Sequence, residues 1–491
     1  MNRIVLNVDA AATRISRHIY GHFAEHLGRC IYDGLWVGRE SSIPNTRGIR
    51  DDLVAALRAL AIPNLRWPGG CFADDYHWRD GVGPQAQRAS MVNAHWGGVT
   101  EDNSFGTHEF MDLCEMLECE PYICGNVGSG TVREMSDWVQ YMTASASCPM
   151  SDLRAANGRP DPWKVRYWGV GNETWGCGGS MRVEYYADVY RRYATYLRNQ
   201  PDNKLYRIAV GPSTDDYHWT DVMMREAGKM MDGLSLHYYT VTGSWGRKGS
   251  ATEFSQDEWM ACMRKACYIE ELVTRHSTIM DRYDPERRVG LIVDEWGTWH
   301  DVEPGTNPAF LYQQNTLRDA LVAGLSLNIF NAHAERVHMA NIAQTINVLQ
   351  AMALTSEDRL VLTPSYHVFE MYKGHQDANL IPLTAQVEQI ESEGTSIPQI
   401  SASASLSDGG QILVTLCNLD PSTPATLACE LRGSNVSRVA GRVLTGPEIS
   451  AYNTFDEPSR VVPQPFEGAE LHGTTLTVRM PAKAVVALQL R

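Results

Sequence analysis

A chain of 491 residues is too long for one ordinary domain, but it suits a large barrel with one smaller companion. Apolar residues at 43% and charged residues at 21% exclude a disordered chain, and the formal charge of -15 excludes a phosphate-tracking nucleic-acid binder, which needs Lys and Arg to displace counterions. The longest apolar run, ALVAGLSLNIF, has 11 residues, short of the roughly 18 that a membrane span requires.

The opening MNRIVLNVDAAATR alternates at Ile4, Leu6 and Val8, as a strand with one buried face does. Asn7 and Asp9 interrupt any apolar signal core, so no secretory leader is read and action in the cytoplasm is expected. From residue 16 onward, strand-length apolar runs alternate with stretches of helical period. The strand candidates are IYGHFAEH (19–26), NLRWPGG (64–70), EPYICGNVG (120–128), RYWGVGNE (166–173), RIAVGPS (207–213), GLSLHYY (233–239), GLIVDEW (290–296) and LSLNIFNAHA (325–334). Helical stretches such as DDLVAALRALAI, REMSDWVQYMTA and FLYQQNTLRDALVAG lie between them, and ANIAQTINVLQAMAL is read as the last helix. Eight such units predict an α/β fold, a (β/α)8 TIM barrel over residues 16–375, with an open doubly wound sheet as the alternative.

After about residue 375 the pattern changes to short alternating runs (QISASASLS, QILVTLCNL, ATLACELRG) separated by Gly, Asp, Ser and Pro. Residues 376–491 therefore read as an antiparallel, jelly-roll-like β-sandwich, joined by the strand in residues 1–15. No Gly/Ser linker divides the parts, which predicts rigid packing. Eleven cysteines without a CxxC pair read as reduced thiols.

Working groups in such a barrel sit where the strands end. Polar residues crowd those ends: Glu25 and His26, Arg66, Asn172 and Glu173, His237 and Tyr239, Asp294 and Glu295. Two carboxylates from the fourth and seventh strands, facing each other across one mouth, are what retaining glycoside hydrolysis needs, at a separation of about 5 to 5.5 Å. Adjacent strand residues point to opposite faces, so of Asp294 and Glu295 only one is expected to face the pocket. HFAEH (22–26) fits an H-x-x-E-H metal motif in letters, but that motif needs a helix and here reads as a strand; no metal is expected. GNVGSG (125–130) has the wrong glycine spacing for a phosphate loop and reads as a tight turn.

The segments GHFAEHLGRCIYDGLWVG, LRWPGGCFADDYHWRDGVGP, VRYWGVGNETWGCGG, SLHYY and IVDEWGTW together resemble glycoside hydrolase family 51, the α-L-arabinofuranosidases of clan A, and the resemblance runs through the whole chain in order. It implies Glu173 as general acid/base and Glu295 as nucleophile, with Arg66 and His237 orienting the nucleophile. Asn172 would bind the sugar 2-hydroxyl, and Glu25, Trp96, Tyr239 and Gln344 would complete the pocket. Trp175, Trp296 and Trp299 are further stacking candidates. Cys71 stands at a substrate-binding position where relatives often carry Asn, and a thiol is a poorer hydrogen-bonding group.

The implied activity is exo-acting release of terminal α-L-arabinofuranosyl units from short oligosaccharides by double displacement, with no cofactor, by a homo-oligomer, commonly a hexamer. The alternatives are a hydrolase of the same fold for another furanoside or pyranoside, and a carbohydrate-binding protein without catalysis.

Overall fold

The computed structural model describes residues 2–491. Eight parallel strands close into a barrel: Gly21–Phe23, Asn64–Trp67, Glu120–Gly125, Tyr167–Val170, Tyr206–Ala209, Gly233–Thr240, Gly290–Thr298 and Val337–Ala343, each paired with its neighbours in chain order and the last with the first. Tyr122, Tyr167, Ile208, Ile292 and Met339, from five of these strands, fill the barrel interior. Their packing fills the barrel, so it is a packed core rather than a pore.

The eighth unit differs from its reading in the sequence. LSLNIFNAHA lies mostly within the helix Leu317–Ala332, the eighth strand is the following VHMANIA, and ANIAQTINVLQAMAL, read above as the last helix, holds the end of that strand and no helix. Every residue from Leu317 to Asn331 is buried, because this helix packs between barrel and sandwich: Asn328 reaches Ser401, and Asn331 reaches Ser403. A helix covered on both sides is apolar all round and loses the period that distinguishes it from a buried strand. The local signal that survives is its capping box, in which Thr316 accepts from a backbone amide of the first turn and Asp319 reaches back to the Thr316 amide.

Two antiparallel-rich sheets of five and six strands form the C-terminal domain. Asn2–Asn7 is the second strand of the five-stranded sheet, parallel to Ala425–Arg432 and antiparallel to Leu383–Gln386. Its Ile4 and Leu6 enter the sandwich core with Leu427, Val414 and Val486, as their alternation requires. Barrel and sandwich are tied by buried polar contacts such as Trp259 Nε1 donating to the Leu419 carbonyl at 2.9 Å. Among the described residues, no helix is long and apolar enough to cross a membrane.

Candidate active site

The polar strand ends meet in one cluster at the barrel mouth. Arg66, fully buried on the second strand, donates through Nη1 to Glu295 Oε1 at 2.8 Å and through Nη2 to Asn172 Oδ1 at 2.7 Å. Tyr239 Oη donates to the other Glu295 oxygen at 2.9 Å. Both oxygens of Glu295 thus accept hydrogen bonds, which fixes the carboxylate in the mouth.

Glu173 opens the loop after the fourth strand at φ +41°, a left-handed conformation uncommon for a residue with a side chain. Asp74 pins this loop: its Oδ2 accepts from the Asn172 amide at 2.8 Å, while its Oδ1 accepts from the amides of Val127 and Gly128 at 2.7 and 3.0 Å. The turn GNVGSG therefore spends its amides on a protein carboxylate rather than offering them to a phosphate. Nothing in the chain neighbours of Asp74 marks it for this role.

His237 bridges the two acids. Its Nδ1 lies 2.8 Å from Glu173 Oε1 and 3.6 Å from Glu295 Oε2, so its shorter contact is to Glu173. Its Nε2 lies 3.2 Å from Asp294 Oδ1. Burial would lower the imidazole pKa, but the carboxylates of Glu295, Asp294 and Glu173 overcome burial and push it up to about 10. Nδ1 is hydrogen-bonded to Glu173, and the Asp294 carboxylate beyond Nε2 favours the imidazolium form. Burial raises the Glu173 pKa, and the charge of Glu295 adds to this against the contact from His237. Arg66 and His237 face the carboxyl groups of Asp294, Glu295 and Glu173, so the buried charged groups are paired rather than isolated.

Asp294 also turns inward, contrary to strict alternation. The seventh strand pairs Ile292 with Ser235 and then Glu295 with His237, so two residues stand opposite one. This bulge aims both acids into the barrel. There Asp294 accepts from Tyr122 Oη at 2.7 Å and sits 3.6 Å from Arg66 Nε. The positive charges of Arg66 and His237 hold its pKa below the usual range despite burial, which acts the other way.

Glu25 forms the opposite wall with Trp96, Gln344 and Gly70. Its Oε1 accepts from Trp96 Nε1 at 3.0 Å and its Oε2 from Gln344 Nε2 at 2.6 Å. Burial, with the charge of Glu295 adding to it, pushes its pKa up to about 8. Gly70 is required here, since a Cβ would lie 2.6 Å from Glu25 Oε1. Of the HFAEH histidines, His22 is buried beside Phe369, and His26 accepts from Trp67 Nε1 and lies 3.3 Å from Glu101 Oε2. They do not converge, because the strand ends at Phe23 and His26 lies beyond it.

The tryptophans divide. Trp296 is buried against Phe330 and Phe369 and is a core ring, not a sugar platform. Trp175 is half-buried and donates to the Gly211 carbonyl at 3.2 Å. Trp299 packs edge-on to Tyr239 at 5.0 Å between centroids, and the exposed Trp245 stands 5.4 Å from Trp299 at the rim. Trp245 lies in a loop without a periodic signal, so the sequence did not single it out. The reading of all cysteines as thiols is also corrected: Cys71 is joined to Cys177 by a disulfide, with the two Cα atoms 5.5 Å apart. Bonded in this way, Cys71 has no S–H to donate to a sugar. The two partners are 106 residues apart, so only the converging loops of the barrel bring them together.

Comparison with known proteins places this chain in a family. Residues 56–256 match the α-L-arabinofuranosidase 1 domain model, and residues 294–484 match the α-L-arabinofuranosidase C-terminal domain model. An intracellular exo-α-L-arabinofuranosidase of Bacteroides ovatus is 53% identical over 489 residues, covering 99% of this chain and 95% of its own length. The chain belongs to the α-L-arabinofuranosidase family. The solved family 51 arabinofuranosidase of Xanthomonas axonopodis pv. citri superposes with a TM-score of 0.99 at 54% identity, covering 100% of this chain and 99% of that one. The family enzyme of Thermotoga maritima, solved as an arabinose complex, superposes with a TM-score of 0.85 at 29% identity, over 100% and 99% of the two chains.

Proposed function

We propose that this chain is a retaining, exo-acting α-L-arabinofuranosidase in which Glu295 is the nucleophile and Glu173 the general acid/base. The observation that carries this reading is a distance. One oxygen of each acid and a nitrogen of His237 all lie within 4.8 Å of one another. This is too close for the water that an inverting enzyme seats across a gap of about 6.5 to 9.5 Å, and close enough for direct attack.

In the first step an oxygen of Glu295 bonds to the anomeric carbon as the glycosidic bond breaks, and Glu173 gives its proton to the departing oxygen. His237 occupies Glu173 Oε1, which leaves Oε2 to carry that proton. In the second step Glu173, now ionised, takes a proton from water, whose oxygen attacks the anomeric carbon and frees Glu295. Arg66 and Tyr239 hold the carboxylate as it leaves. Asn172, fixed by Arg66, faces the sugar 2-hydroxyl, where a hydrogen bond strengthens as oxocarbenium charge develops. Glu25, Trp96 and Gln344 form the polar wall that takes the remaining hydroxyls. The terminal specificity and an intracellular location follow the name of the Bacteroides ovatus relative, and assembly into hexamers follows the family resemblance.

Product NMR during early turnover tests the reading. The first sugar released is expected to be α-arabinofuranose; the β anomer overturns double displacement. Glu173→Ala should lower turnover of poor leaving groups by about 10²- to 10⁴-fold and spare activated aryl substrates in the first step, with azide restoring the second. Absence of azide rescue together with an active Glu295→Ala reverses or removes the assigned roles.

A further inference from the structure

Two sulfur atoms stand beside the oxygen that carries the catalytic proton. Cys71 Sγ lies 3.9 Å and Cys177 Sγ 3.6 Å from Glu173 Oε2. All three residues are half-buried at the barrel mouth, where a solute can reach them. In the bonded form neither sulfur is a thiolate, and neither has a proton to give. Disulfides are rare in a cytoplasm, where thiol pools keep cysteines reduced. In a tetrahedral zinc site, metal–sulfur bonds of about 2.3 Å and metal–oxygen bonds of about 2.1 Å put neighbouring sulfur and oxygen about 3.6 Å apart. The observed separations of 3.6 and 3.9 Å already have this edge length.

We propose that Cys71, Cys177 and Glu173 form a thiol-gated site for a soft divalent cation such as Zn2+, and that a cation bound there blocks turnover. A small-molecule dithiol supplies two electrons and two protons. The Cys71–Cys177 bond breaks, two S–H groups form, and the reductant closes into its own disulfide. On metal binding both thiol protons and the proton on Glu173 Oε2 pass to solvent, two metal–sulfur bonds and one metal–oxygen bond form, and water takes the fourth position. Glu173 Oε2 is then a metal ligand and cannot carry a proton. The blocking rests on the reading of Glu173 as acid; the site itself does not. The site is built from two barrel loops, those after the second and fourth strands, so unfolding disperses it. The other nine cysteines are unbonded, and none of them is grouped with a carboxylate or imidazole in this way among the described residues.

Co2+ is a suitable probe, because thiolate–cobalt bonds give a near-ultraviolet charge-transfer band. The protein is reduced with dithiothreitol, desalted without oxygen and titrated with CoCl2, and hydrolysis is followed in parallel. One equivalent of Co2+ should produce the band in the reduced protein and not in the oxidised one, with activity falling as the band rises and returning on chelation. Cys177→Ser should weaken binding by more than the roughly 10- to 100-fold that loss of an outer-shell partner costs. Glu173→Gln should keep the band with weaker binding. If Cys177→Ser does not fold, alkylation with mass spectrometry replaces it: bound Co2+ should protect Cys71 and Cys177. An equal band in the oxidised protein, an unchanged band in folded Cys177→Ser, or protection of other cysteines overturns the site. A full cobalt site with undiminished turnover leaves the site standing and overturns both the blocking and Glu173 as proton donor.

Discussion

Asp294 never meets the substrate in the proposed mechanism, yet the charge balance of the site depends on it. Its carboxylate lies 3.2 Å from His237 Nε2 and 3.6 Å from Arg66 Nε. At an effective dielectric constant of about 20 each separation corresponds to about 5 kcal/mol of attraction. Against that stands the desolvation of a fully buried carboxylate, several kcal/mol. Asp294→Asn keeps the volume and an acceptor for Tyr122 but deletes the charge. The expected loss is that of breaking a buried pair, about 3 to 5 kcal/mol at pH 7, measured by urea unfolding.

The pH dependence carries a second signature. His237 rises from 6.5 unfolded to about 10 folded, so its contribution to stability is fully present below 6.5 and fades as pH climbs toward 10. Without Asp294 one of the charges raising it is gone, so the fading should end at a lower pH. The turnover rate should also fall, by about 10² for a misplaced catalytic group. A loss under about 1 kcal/mol, the worth of a solvent-screened pair, together with an unshifted alkaline limb, would refute the argument that Asp294 holds His237 charged.

Two further substitutions test the walls of the site. Gly70→Ala puts a methyl group 2.6 Å from Glu25 Oε1, whose carboxyl is anchored by Trp96 and Gln344 and cannot give way; KM for aryl arabinofuranosides should rise and stability fall by about 1 to 3 kcal/mol, and unchanged values would show that Glu25 is free to move. Asp74→Ala strands the amides of Val127, Gly128 and Asn172. Thermal unfolding should report a loss of about 3 kcal/mol or more, and turnover should drop because the Glu173 loop loses its anchor; a stable, fully active variant would mean that the loop holds its shape unaided.

The sequence showed where the chemistry lies because barrel strands are apolar until they emerge. Arg66, Asn172, Glu173, His237, Tyr239 and Glu295 each interrupt such a run at its end. Glu25, Trp96 and Gln344 depended on resemblance, since nothing in their immediate neighbours marks them as converging. The eighth strand was misplaced for a physical reason: the helix Leu317–Ala332 is buried on every side and carries no amphipathic signal. Trp296 looked like a platform in the sequence, and its environment makes it a core ring.

What the sequence determined by itself was the order of elements through the seventh strand, the change from barrel to sandwich and the identity of the groups at the strand ends, because hydrophobic period and turn chemistry are local. Tertiary structure alone decided the inward turn of Asp294, the joining of Cys71 to Cys177 and the anchoring of two loops by Asp74. Each depends on groups distant in the chain meeting across a closed barrel. A bulge or a converging loop sets their distances, and neither leaves a periodic trace in the residues that form it.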